Sequence, residues 1–576
     1  MTATLAPLLI RPDQAAQLLG CARRTFYSWA EQPGFPKAVI LSGAKGQRWF
    51  VADLEAWARS RQVRNAVTSA LASILLLTAA PITAAVPPPN IAIVHVDDED
   101  VATWELADYY GLTPNIRALR ARGVNFRLSA TVNAVCAPSR HAFFTSMQSH
   151  NNGLWCNSHD CDQGTQGSID RVDMDRTIFA AIEETHALGF FGKNINGSGD
   201  TPGAPPGSPR NPTNVFPQFR GERSTWKGTN DPYTYLSYGT QINDDGVIRQ
   251  YDKSAGSHQT RLLAGFAAAW IAANKGHRPL LAYYAPVAPH STGDAASCAY
   301  SGVYSDSYCA LSMPDLRDIA WHPAAWQAGA SMPFYPGLDP AFNVPSSIAA
   351  FATKPALTTT MTNNAKSLWR SRFQSVIAID DAIGQIVAAC GSDCWIVITS
   401  DNGFQHGTHR IGNKQTAFRQ SVFVPLVIAG PICVSGQEGP CVVPGYRDQL
   451  VLNTDIAVTL AAIAGASMPW ADGRSLVPIL RGESPEWRTA ALVEHRKATG
   501  PGADLLDFGA YDALLIDRPG LPTRLYVEWA SGECELYDDA PQLVNLCATS
   551  PDVPALHERL ERLRTCAGQA CRDAEQ

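Results

Sequence analysis

The chain has 576 residues, 45% hydrophobic and 17% charged, an ordinary globular composition that excludes a disordered chain. It is too long for one core, and domain-size scaling gives about three structural units. The net charge of -7 hides an asymmetry: residues 1–64 carry nine Lys/Arg against four Asp/Glu, so the front stands at +5 and the remainder at -12.

In the basic front, Pro12 to Leu19 predicts a short helix, Gly20 breaks it, and Arg23 to Trp29 predicts a second. This is helix-turn-helix spacing. Turn residues from Leu41 to Arg48 follow, and Val51 to Arg59 predicts another helix. Over about sixty residues the segment resembles excisionase and AlpA-like winged helix-turn-helix modules. The resemblance implies DNA contact through Arg23, Arg24, Thr25, Tyr27 and Arg48, although such small modules also serve as protein contacts.

From Arg59 to Val86 a basic flank runs into an apolar, small-residue stretch ended by Pro87-Pro88-Pro89, the layout of an export signal. Uncleaved, residues 66–86 are about the ~20 residues that span a bilayer, with the preceding arginines held inside. DNA inside and an exported body outside conflict. The chain is therefore read either as a signal-anchored protein with a cytoplasmic front or, the favoured expectation, as one whose true start lies near Val63. The predicted organisation is 1–62 as the helix-turn-helix module, 63–88 as signal peptide or anchor, 89–490 as the catalytic domain and 491–576 as a C-terminal subdomain.

Beyond Asn90, apolar runs alternate with helical stretches such as Thr113 to Arg122, which predicts a layered α/β sheet. In such sheets ligands bind beyond the carboxyl ends of the strands. Ile91 to Val96 ends in Asp97-Asp98, and Leu188 to Phe191 leads to Gly192-Lys193. Leu280 to Ala285 leads to Pro289-His290, and Trp395 to Ser400 ends in Asp401-Asn402. Two acidic clusters and two cationic groups are thus expected on one edge. Asp97, Asp98, Asp401 and Asn402 are oxygen donors, a set suited to Ca²⁺ or Mg²⁺ rather than zinc. In the tail, Ala510 to Ile516 and Thr523 to Trp529 predict paired strands and Pro554 to Cys566 a closing helix, a small α+β subdomain.

Fourteen cysteines occur, and twelve fall as sequence neighbours: Cys156/Cys161, Cys298/Cys309, Cys390/Cys394, Cys433/Cys441, Cys534/Cys547 and Cys566/Cys571. An even set spread over loops favours an oxidising compartment over metal binding, without requiring that each neighbour bond its neighbour. Beyond Asn90, Cys136 is then the odd one out. It stands just before a predicted helix, where backbone N–H groups favour an anion.

Cys136-Ala137-Pro138-Ser139-Arg140, downstream of a strand ending in Asp-Asp, resembles the signature of the sulfatase family. The resemblance implies an alkaline-phosphatase-like α/β fold and oxidation of Cys136 to formylglycine by a formylglycine-generating enzyme. It places metal ligands at Asp97, Asp98, the modified Cys136, Asp401 and Asn402, with Arg140 supporting formylglycine and Asp401 as base. Lys193, His290 and Lys414 fall at sulfate-binding positions, His290 or Lys414 also serving to protonate the departing alcohol. The likeness runs from Asn90 to Gly430, with Ser400 to Gly403 and Leu536-Tyr537-Asp538 as further family-like segments. Where many sulfatases carry Trp-His after the lysine, this chain has Asn194-Ile195-Asn196, and Phe418-Arg419 stands where Tyr-Glu is common. That pattern resembles the N-acetylglucosamine-6-sulfatase branch and its arylsulfatase relatives, with Asn196 and His409 as candidate pocket residues. It implies a periplasmic, secreted or membrane-anchored hydrolase of sulfated sugars or aryl sulfates. The alternatives are a phosphodiesterase or phosphonate hydrolase of the same fold, and a DNA-binding regulator with an inactive sensor domain.

Overall fold

The computed structural model describes residues 88–290 and 359–576, except 110, 158–159, 163, 165–168, 435–438, 500–508 and 540–541, together with 9–10, 49–50, 348, 352, 356 and 358. The chain divides into two units, Met1–Pro87 and Pro88–Gln576. In the first, Leu9–Ile10 pairs antiparallel with Trp49–Phe50. The predicted helix-turn-helix, its five DNA-contact candidates and the apolar stretch 66–86 lie outside the described residues, as do Cys298 and Cys309. Among the described residues no helix is long and apolar enough to cross a membrane.

The second unit is built on a ten-stranded mixed sheet. Its strands are β1 (Ile91–Val96), β2 (Gly123–Ala130), β3 (Ala187–Gly192), β4 (Thr225–Thr229), β5 (Gln241–Asp244), β6 (Val247–Gln250), β7 (Leu280–Ala285), β8 (Trp395–Ser400), β9 (Leu426–Ala429) and β10 (Gly445–Leu452), in spatial order β10-β2-β9-β8-β1-β7-β3-β4-β5-β6. The central strands β8, β1, β7, β3 and β4 are parallel. Being covered on both faces, β1, β3, β7 and β8 are buried along their whole length and read as apolar runs instead of alternating ones.

The helices that matter here are α1 (Val101–Tyr109), α2 (Pro114–Arg122), α3 (Cys136–Thr145), α4 (Gln259–Asn274), α5 (Thr359–Cys390), α6 (Thr454–Ile463) and α7 (Val553–Leu563). Alternation along β1 sorts them into layers. Ile91 and Ile93 join the core that contains Phe143 and Phe144 of α3 and Ile456 and Leu460 of α6. Ala92, Val94 and Val96 join the opposite core with Leu263, Ala267 and Ile271 of α4 and Ile379, Ile383 and Ile386 of α5. The apolar positions of α4 recur at intervals of four, one face of a helix. The helix expected from Thr113 begins as α2 with Pro114 in its first turn, where the missing N–H costs nothing.

The tail carries a second sheet within the same unit. Strands β11 (Ala490–His495), β12 (Tyr511–Ile516), β13 (Arg524–Trp529) and β14 (Cys534–Tyr537) make an antiparallel sheet in that order. Leu556, Leu560 and Leu563 of α7 cover one face. The other face, through Val493, Ala513 and Val527, shares a core with Leu450 and Leu452 of β10. Five of the neighbouring cysteine pairs are disulfides: Cys156–Cys161, Cys390–Cys394, Cys433–Cys441, Cys534–Cys547 and Cys566–Cys571. Cys136 is a buried free thiol.

Candidate active site

The strand register delivers the predicted row of functional groups. Val96 pairs with Ser400 and Gly192 with Ala285, so Asp97, Asp401 and Lys193 leave the sheet at one edge. Asp97 extends the ladder by one bridge to Pro289, which brings in His290. Gly192 has φ +119°, and a Cβ there would strike the Ala285 carbonyl; a glycine is required for the chain to turn into Lys193. The remaining wall is the first turn of α3, headed by Cys136. Ser139 of that turn donates to the Asp401 carbonyl and accepts from Asn453 Nδ2 at 3.0 Å, which fastens the helix to the end of β8.

The predicted groups then meet. Lys193 Nζ donates to Asp97 Oδ2 at 2.5 Å, and Lys414 Nζ donates to Asp98 Oδ1 and lies 2.8 Å from Cys136 Sγ. Cys136 Sγ is 3.5 Å from Asp97 Oδ1, and His290 Nε2 is 3.5 Å from Asp98 Oδ2. Asn402 Nδ2 donates to Asp98 Oδ1 at 2.6 Å. Asp401 Oδ1 accepts the backbone N–H of Asp98 at 3.0 Å and of Asn402 at 2.8 Å, while Oδ2 accepts Arg140 Nε at 2.8 Å. Three carboxylates therefore face three permanent cations in a buried space. One ligand atom each from Asp97, Asp98, Cys136 and His290 lies within 4.8 Å of the others.

Electrostatics follow from this density. Burial works to raise the Asp97 pKa, but Lys193, His290 and Arg140 outweigh it and hold the carboxyl well below its ordinary range. Asp98 is likewise held down, against burial, by Lys414 and His290. Burial, aided by Asp97, pushes the Cys136 thiol up to about 12 despite the two lysines, so the sulfur is neutral near pH 7. Lys193 and Lys414 are kept charged because Asp97 and Asp98, respectively, outweigh the burial that would lower them. His290 is lowered by burial, which Asp98 and Asp97 only partly offset.

A hard divalent cation fits the donor set. Asn402 Oδ1 is buried with no hydrogen-bond partner, on an amide whose Nδ2 bonds the Asp98 carboxylate. An orphaned buried amide oxygen is costly unless something electropositive meets it.

A family model described as Sulfatase matches residues 89–466, most of the second unit. The chain belongs to the sulfatase family. Among curated relatives, this sulfatase is 25% identical over 427 residues to "Extracellular sulfatase SULF-1 homolog" of Drosophila melanogaster, covering 70% of the chain and 33% of the relative. It is 24% identical over 406 residues to an arylsulfatase of Chlamydomonas reinhardtii, covering 66% of the chain and 56% of the relative. In both, the matched stretch is under two thirds of the relative's own length. Its fold is shared with a structure solved with D-glucosamine-2-N,6-O-disulfate (TM-score 0.57, 18% identity, 84% of this chain and 98% of that one). It is shared too with the phosphonate monoester hydrolase of Agrobacterium radiobacter (TM-score 0.55, 19% identity, 82% and 94%).

Several placements differ from expectation or were not foreseen in the sulfatase sequence. Arg140 bonds Asp401, the Lys193 carbonyl at 3.3 Å, Tyr283 Oη at 3.4 Å and the Val96 carbonyl at 3.4 Å. His409 stacks on Phe418 with ring centroids 3.9 Å apart and neighbours Tyr537, which seats its ring in the apolar layer towards the C-terminal sheet. Asn196 is near the cluster through Tyr235, whose Oη accepts its Nδ2 at 2.7 Å. Tyr235, Tyr283, His95 and Arg372 carry no motif. His95 alone left a trace, as the one polar residue inside the apolar run of β1; it bonds Tyr283 Oη at 2.8 Å and so braces the tyrosine beside Arg140. Arg372 donates to the carbonyls of Pro289, at 3.1 Å, and of Asp98.

Proposed function

We propose that the chain hydrolyses sulfate monoesters, with Cys136 converted to formylglycine by a formylglycine-generating enzyme. The observation that carries this reading is the position of Cys136 Sγ, at the head of a helix, between Lys414 Nζ at 2.8 Å and Asp97 Oδ1 at 3.5 Å. A sulfate ester is anionic, so its hydrolysis needs cationic donors aimed at the sulfur's oxygens in a dry site. Lys193 and Lys414 are assigned that task, with His290 beside them as a neutral hydrogen-bond donor. Asp97, Asp98, Asp401, Asn402 and the modified Cys136 would hold the metal, Ca²⁺ in this reading and Mg²⁺ as its nearest substitute. Bound there, the cation would supply charge neutralisation and lower the pKa of an oxygen nucleophile. Arg140 orients Asp401 through the Nε–Oδ2 bond. His290, which burial holds mostly neutral, takes up and returns the proton needed by the leaving alcohol.

The substrates proposed are sulfated sugars, with aryl sulfates as surrogates. Support comes from relatives that include an N-acetylglucosamine-6-O-sulfatase of Bacteroides thetaiotaomicron, 28% identical over 135 residues. Five disulfides support an extracytoplasmic setting, periplasmic, secreted or anchored. DNA contact remains a proposal for residues 1–62 alone.

The test is to purify the protein from cells containing a formylglycine-generating enzyme and weigh the tryptic peptide Leu128 to Arg140. The expected mass is that of the aldehyde at Cys136, with sulfate released from aryl and sugar sulfates faster than phosphonate monoesters are cleaved. An unmodified thiol, alongside a control sulfatase that is converted in the same cells, rejects the mechanism. Faster cleavage of a phosphonate ester moves the assignment to the hydrolase whose fold it shares.

A further inference from the structure

Two loops leave the sheet side by side, one after β3 and one after β4, and they are stapled to each other. Asp231 N donates to the Ser198 carbonyl at 2.9 Å, and Gly197 N donates to Asp231 Oδ2 at 2.7 Å. Gly199 approaches Asn230 so closely that a Cβ would overlap its side chain. The second loop ends in a short turn, Tyr233–Tyr235, which is itself anchored. Thr234 N donates to the Asn230 carbonyl at 2.9 Å, Thr234 Oγ1 donates to Thr229 Oγ1 at 3.0 Å, and Gln259 Nε2 donates to the Thr234 carbonyl at 2.8 Å.

The side chain this scaffold presents to the site is Tyr235. Its ring lies 4.9 Å from Lys193 Nζ and 5.0 Å from the His290 ring, inclined at 50°, and its hydroxyl accepts Asn196 Nδ2 at 2.7 Å. The negative face of an aromatic ring attracts an ammonium, more strongly where water is excluded. Lysine is a point charge on a flexible stem with no fixed direction of its own. The other partner of Lys193 is Asp97, a carboxylate assigned above to the metal. The ring is then the partner that stays. Tyr235 takes one of the two N–H groups of Asn196 Nδ2, and the other is the donor the amide can offer a sulfate oxygen.

We propose that Tyr235 is a positioning residue that fixes Lys193 and Asn196 at the sulfate-binding end of the site, and so sets how tightly the sulfate group is held. This rests on the sulfate-ester reading of the site. The experiment compares Tyr235→Phe and Tyr235→Leu in the active protein and in a Cys136→Ala background. The first background is assayed for KM and kcat with an aryl sulfate, the second for binding of inorganic sulfate by calorimetry in the presence of calcium. Tyr235→Leu, which loses both contacts, is expected to raise KM at least tenfold with kcat changed far less, and to weaken sulfate binding by a similar factor. Tyr235→Phe keeps the ring under Lys193 and is expected to raise KM about threefold, an increase that vanishes when Asn196 is already alanine. Wild-type KM and sulfate affinity in both Tyr235 variants, in an enzyme that hydrolyses sulfate esters, overturn the inference alone. A parent protein that neither binds sulfate nor cleaves sulfate esters overturns the reading of the site, and the inference with it.

Discussion

Replacing Lys414 with methionine is expected to tighten metal binding while weakening catalysis, opposite effects of a single change. The Lys414 ammonium bonds Asp98 and lies 2.8 Å from Cys136 Sγ. The candidate ligand atoms of Asp97, Asp98, Cys136 and His290 lie within 4.8 Å of one another. At about 5 Å and an effective dielectric of about 20, two unit positive charges repel by about 3 kcal/mol, and a divalent ion doubles that. Movement of the lysine away from Asp98 would relieve most of this. If a quarter remains, about 1.5 kcal/mol, removing the charge raises metal affinity about tenfold. Titration with calcium, followed by tryptophan fluorescence, measures that directly. Over the same substitution kcat with an aryl sulfate should fall by about 10²–10³, the cost of removing one preorganised donor. Unchanged or weaker calcium binding, in a variant that melts like the parent protein, would refute the electrostatic reasoning.

Arg140→Met leaves Asp401 buried without its cation and is expected to cost about 3–5 kcal/mol in urea unfolding, well beyond the loss of a surface pair. His141 is held down to about 4 by burial, which Asn152 and Asp173 only partly oppose. Its contribution to stability is therefore complete above the ordinary histidine value of 6.5 and is lost as pH falls through about 4, so His141→Asn should flatten the acid limb of a melting-temperature profile. His150 titrates the other way: Glu494 overcomes burial and pushes it up to about 9. Its contribution is complete below 6.5 and is lost as pH rises through about 9, and His150→Gln should flatten the alkaline limb. Replacing Cys534 and Cys547 together by serine opens a loop of 13 residues and is expected to cost about 2–3 kcal/mol, read as a lower urea midpoint and faster proteolysis of the tail.

The parts of the site that sequence made legible are those that backbone topology alone aligns. Asp97, Lys193, His290 and Asp401 each follow an apolar run, and parallel strands in register must bring their ends together. Ser139 and Arg140 were legible only as members of a motif; that Ser139 tethers α3 to the Asp401 carbonyl depends on where a helix packs, which no local pattern encodes. Tyr235 was invisible because it reaches Lys193 from a turn after a different strand, across contacts made by Asp231 and Ser198. His409, a pocket candidate on the resemblance, has a left-handed backbone, φ 53°, and its ring stacks on Phe418, a packing that no local pattern encodes. Two of the four C-terminal strands, β12 and β13, were by contrast read within a residue of their bounds, because each is an apolar run between turn residues.

The burial of Cys136 has a consequence for timing. With 1% of its surface exposed, its sulfur lies beneath groups that arrive late in the chain, Lys414 standing 278 residues downstream. At about 5–20 residues per second of synthesis, that separation amounts to some ~10–60 s during which the Cys136 segment exists without its cover. An enzyme that alters this cysteine must work inside that interval, or on a chain held open, because β8 and the loop carrying Lys414 close over it once the sheet is complete. If Cys136 is modified as proposed, maturation of the site would be a race between that chemistry and folding, and conditions that slow closure of the sheet should raise the modified fraction.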